Sequence, residues 1–100
     1  MSTATRLPPP SELDIFRRIV DPDRPTLPVD AAQALLRLDF ASADRRRMNR
    51  LAEKNRQGRL SPREEQELDS FLRAGQLLGI LQSKARQSLK AQGQLAENNP

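Results

Sequence analysis

The segment that opens Ser61-Pro62-Arg63-Glu64 constrains this chain more than any other. The Ser61 hydroxyl is placed to accept from the Glu64 backbone N–H, and the Glu64 carboxylate to reach back to the N–H of Ser61. Proline holds the first helical position, where its missing N–H is not needed. After this start signal nothing stops a helix before Gly93. The expected element is about 30 residues long, or roughly 45 Å at about 1.5 Å per residue. A compact domain of 100 residues has a radius of gyration of about 13 Å. A helix of that length overshoots its own body, and the rest of the chain is left to supply short elements along it.

Those short elements read as helices. Leu, Ile, Val and Phe number 15, 3, 2 and 3, just above the roughly one-fifth of a chain below which ordering usually fails. Leu outnumbers Ile and Val together threefold, which favours helix over sheet. Ser11 is placed to cap a first helix running to about Val20, with Leu13, Phe16 and either Ile19 or Val20 on its apolar face. Three prolines in residues 21–28 make a stiff connector. A second helix follows from Pro28 to about Leu38, with Val29, Ala32, Leu35, Leu36 and Leu38 inward. Phe40 is expected to plug the core under the next turn. Ser42 is read as the cap of a third helix, in which Met48, Leu51, Ala52 and Asn55 share one face and Gly58 ends the run. The fold class expected is all-α: one small four-helix domain over residues 11–92 with a long C-terminal helix. Residues 1–10 read as a Pro-rich tail and residues 93–100 as a frayed one.

The residues that are missing narrow the chemistry. His and Cys are both absent, which removes imidazole bases, thiolate nucleophiles, disulfides and the usual transition-metal ligands. Asp21 and Asp23 flank Pro22, a pattern better suited to a turn than to a carboxylate metal site. The expectation is a non-enzymatic protein without a cofactor. No apolar run approaches the roughly 20 residues of a membrane span, so no membrane role is expected and the default compartment is the cytoplasm.

Charge is segregated along the chain. Residues 45–63 hold eight Arg or Lys against the single acid Glu53, whereas residues 64–69 hold four acids and no base. On the third helix Arg46, Arg50 and Lys54 recur every four residues, with Arg47 beside them. Like charges at this spacing each destabilise a helix by about 0.2–0.5 kcal/mol. A polyanion would offset that, as would the acids that open the fourth helix. The chain has no Trp or Tyr for base stacking. Glu64, Glu65 and Glu67 stand where a recognition helix would meet a duplex, which argues against groove insertion.

The fourth helix carries a second candidate surface. Leu68, Phe71, Leu72, Gly75, Leu78, Gln82, Ala85 and Leu89 follow a near-heptad spacing that weakens toward the end. Leu77, Ile80 and Leu81 add a second flank, so the middle is apolar around most of its circumference. Gly75 and Gly79, one turn apart, leave room for close approach of another helix. The candidate partner-binding set is Leu72, Gly75, Leu77, Leu78, Gly79 and Leu81.

From Leu38 onward the sequence resembles a family of small bacterial helical proteins that are often encoded beside an HNH endonuclease. The residues that carry the likeness are Leu38-Asp39-Phe40, Asp44, Arg47-Met48-Asn49, Leu51 and Lys54, followed by Gly58-Arg59-Leu60-Ser61-Pro62 with Glu65 and Glu67-Leu68. Leu77-Leu78 and Ile80-Leu81-Gln82-Ser83-Lys84-Ala85-Arg86 complete it. The resemblance spans roughly residues 12–90 and implies an antitoxin-like or accessory partner of a nuclease. The function expected is thus a protein–protein interaction module. The alternatives are a sequence-nonspecific nucleic-acid binder using the third helix and a homodimeric scaffold.

Overall fold

In a computed structural model that describes residues 8–93, four helices follow in order: α1 (Glu12–Val20), α2 (Val29–Leu36), α3 (Ser42–Arg56) and α4 (Pro62–Ala91). No strand occurs among the described residues, and the fold is all-α with a long C-terminal helix. Of the expected tails, residues 1–7 and 94–100 lie outside the described residues, and residues 8–10 have no regular structure. None of the helices is long and apolar enough to cross a membrane.

Each short helix packs on α4, and among the described residues none packs against another. The result is flat and open, with a radius of gyration of 17.9 Å and extents of 50 × 46 × 25 Å. The main core lies where α2 meets the C-terminal half of α4. Ala32, Ala85 and Leu89 are buried there under Leu27, Val29, Leu35 and Leu36. Alanine on both sides lets the two helices approach closely. Leu51 on α3 and Ile80 on α4 complete the buried apolar set.

The local signals act as the sequence implies, with two differences, and the choice between Ile19 and Val20 is resolved. Ser61 and Glu64 form the reciprocal capping box, with N–H to oxygen distances of 3.1 and 3.0 Å. Ser11 and Asp14 form a second box at the start of α1. Gly58, at φ 69°, closes α3 in a Schellman turn: its N–H donates to the Asn55 carbonyl, and Arg59 N–H donates to that of Lys54. Ser42, however, lies inside α3, and the cap position belongs to Ala41 without a side-chain hydrogen bond. Helix α2 stops at Leu36 and leaves Leu38 half-exposed. On α1 the inward residue is Val20, and Ile19 is 74% exposed. At about 100° per residue, Leu13 and Val20 fall on the same side of Phe16 and Ile19 on the other. Leu13 therefore tips the buried face toward Val20.

Polar side chains of α4 anchor the ends of the other helices. Lys84 Nζ donates to the Val20 carbonyl (2.6 Å) at the C-terminus of α1. Gln82 Nε2 donates to the carbonyl of Leu35 (3.1 Å), which also accepts the Leu38 N–H, and to that of Leu38 (2.9 Å), just past the end of α2. In the connector, Leu27 N–H donates to the fully buried Ser88 hydroxyl (3.1 Å), and Gln92 donates to the Leu27 carbonyl (2.8 Å).

Candidate interaction surfaces

The fold divides the basic stripe of α3 into two pairs. Helix α3 turns back into α4 through Gly58, which brings its inner flank beside the acidic first turns of α4. Arg47 donates from Nε and Nη2 to the two oxygens of Glu67, at 2.8 and 2.7 Å. Lys54 Nζ donates to Glu64 Oε2 at 2.6 Å, and Arg47 Nη2 lies 3.9 Å from the same oxygen. Lys54, with the Ser61 backbone N–H, holds the Glu64 carboxyl down to about 2. The Arg47 fork likewise lowers the pKa of Glu67 and is itself raised by it. Arg46 and Arg50 lie on the exposed side of the helix, with no ion-pair partner among the described residues. Glu53, the one acid on this helix beyond its first turn, is engaged by Arg56 and Gln57.

The candidate face of α4 is also divided. Gly75 is half-buried beside Phe40: a Cβ there would lie in ordinary contact, 3.7 Å from Cζ of the ring, which meets Phe71 edge-on at 6.3 Å. Phe40, expected as a core plug, is instead half-buried on the flank of α4, outside the buried core. At Gly79 a Cβ would meet nothing within 4 Å. Leu72 is 54% and Leu77 36% exposed, while Leu78 and Leu81 are half-buried. A groove of about 650 Å³ runs beside Leu77, walled by Ser11, Glu12 and Leu13 of the α1 start and by Arg73 and Gln76. The exposed Ile15 and Ile19 of α1 extend the open apolar surface. Sequence reasoning misses Ile15; its spacing of four from Ile19 is the available signal.

Asp21 serves the turn, in a left-handed conformation (φ 53°) and 3.3 Å from Arg24 Nε. Among the described residues no three carboxylates converge to hold a metal ion. Comparison with protein-family models, curated proteins and solved structures finds no match.

Proposed function

We propose that this chain is a non-enzymatic helical interaction module whose docking surface is the open face of α4 over residues 72–81. The observation that carries this reading is Gly79. It stands inside a helix with open space around it, next to an exposed Leu72 and a half-covered Leu77. Glycine in an exposed helix interior lowers stability by about 1 kcal/mol relative to alanine. A Cβ at Gly75 would make ordinary contact with the Phe40 ring, and one at Gly79 would meet nothing. Neither glycine is required by packing within the chain, and close approach of a second helix supplies a reason for the open one. The family resemblance supports a nuclease-type protein as the partner, in the manner of an antitoxin.

Sedimentation of the wild type and Gly79→Leu at tens of micromolar, alone and with a small HNH-type endonuclease, tests this. The wild type is expected to form the complex. Gly79→Leu should lose it while helicity by circular dichroism persists or rises, since leucine is the better helix former. Self-association of the wild type that Gly79→Leu abolishes assigns the face to a second copy. A wild type that stays monomeric in both arms rejects the reading.

A further inference from the structure

The split basic stripe has a property that net charge conceals. Arg46 and Arg50 are always available, one turn apart and about 6 Å along the helix axis. Arg47 sits between them in sequence, but the Nε–Nη2 edge of its guanidinium is taken. Both oxygens of one carboxylate take its Nε and Nη2, which is the geometry a guanidinium uses on phosphate. Glu67 thus occupies the donors that a phosphodiester would take.

We propose that the outer face of α3 binds the backbone of duplex nucleic acid through Arg46 and Arg50, and that Glu67 is an internal competitor that masks Arg47 from the same polyanion. The exposed residues of this face are Arg46, Asn49, Arg50 and Glu53, with no large apolar side chain to enter a bilayer. No aromatic ring lies on α3, and Phe40 and Phe71 are spent on each other, so bases of a single strand find no stacking platform. What the face offers is charge complementary to phosphate, independent of sequence. This surface is separate from the α4 face proposed above and does not depend on it.

The test is fluorescence anisotropy of a labelled random duplex with the full chain, from about 50 to 200 mM salt. Each phosphate neutralised contributes about −0.9 to the log–log salt slope, so two contacts predict about −1.8. Arg46→Ala with Arg50→Ala should lose binding. Arg47→Ala should leave affinity and slope at the wild-type level, because its fork is already taken. Glu67→Gln should tighten binding several-fold and steepen the slope by about 0.9. Asp69→Asn removes the same charge from the same helix, but from a carboxylate paired with Arg73 at 3.2 Å, and should change neither quantity. Circular dichroism confirms that each variant is folded. Absence of binding by both wild type and Glu67→Gln at about 50 mM salt overturns the proposal. So does an equal gain from Asp69→Asn, a loss from Arg47→Ala equal to that from Arg46→Ala, or binding to phosphatidylserine vesicles with none to the duplex.

Discussion

Glu64 joins two helices through one carboxylate. Its Oε1 accepts the Ser61 N–H that opens α4, and its Oε2 accepts Lys54 from α3. These contacts lower its pKa from the ordinary 4.5 to about 2. A carboxyl depressed on folding stabilises the fold above its unfolded value, and that stabilisation is lost as protons compete for it. The thermal midpoint should therefore fall as pH drops from about 4.5 toward about 2. Glu64→Gln should flatten this part of the profile. Some slope should remain, because Asp14, Glu53 and Glu67 are also depressed. Melting curves across that pH range check this; an unchanged profile in the variant contradicts the assignment. The Ser61–Glu64 half of this cluster is legible in the sequence, because a capping box is complete within four residues. The Lys54 half is visible there only as a basic block followed by an acidic one. Which base meets which acid depends on the turn at Gly58, and charge order does not specify it.

At the scale of elements, α4 works through its polar positions as much as its apolar ones. Ser88 is fully buried, and its hydroxyl is the acceptor for Leu27 N–H. Ser88→Ala removes that acceptor with little change in volume. It should destabilise by about 0.5–1.5 kcal/mol, the net contribution of a typical hydrogen bond, since the Leu27 donor is only part-buried. Chemical denaturation checks the value, and a change under about 0.5 kcal/mol would fall within ordinary surface variation and count against the contact. The helices themselves are readable from spacing and caps, and α1 and α4 begin where their serines indicate. The end of α2 is not. Apolar spacing carries it to Leu38, but Gln82 takes the Leu35 and Leu38 carbonyls from the other end of the chain. In the near-heptad Gln82 looks like a defect; in the fold it caps another helix. Gly75 is the parallel case, since nothing local to it announces the Phe40 ring.

Taken whole, the molecule is a long helix with three short ones laid on it, as the length of the uninterrupted segment implies. Its radius of gyration of 17.9 Å exceeds the compact expectation of about 13 Å. Among the described residues, the buried apolar set is Ala32, Leu51, Ile80, Ala85 and Leu89, with Pro22 buried in the connector. Sequence spacing alone points to an uncovered α4, but it presents Gly75 and Gly79 as one groove and the four basic residues as one stripe. Both are divided by partners distant in sequence, Phe40 for the glycines and the acids of α4 for the stripe.

Because α1, α2 and α3 meet only α4 among the described residues, undocking one leaves the contacts of the other two intact. Native-state hydrogen exchange should therefore resolve three separate openings, each at its own free energy, rather than one cooperative event. The amides of α4 should be the slowest to exchange, since they are freed only when the last lateral helix has left. A single protection free energy shared by α1, α2 and α3 would mean that the helices are coupled by something other than the spine on which they lie.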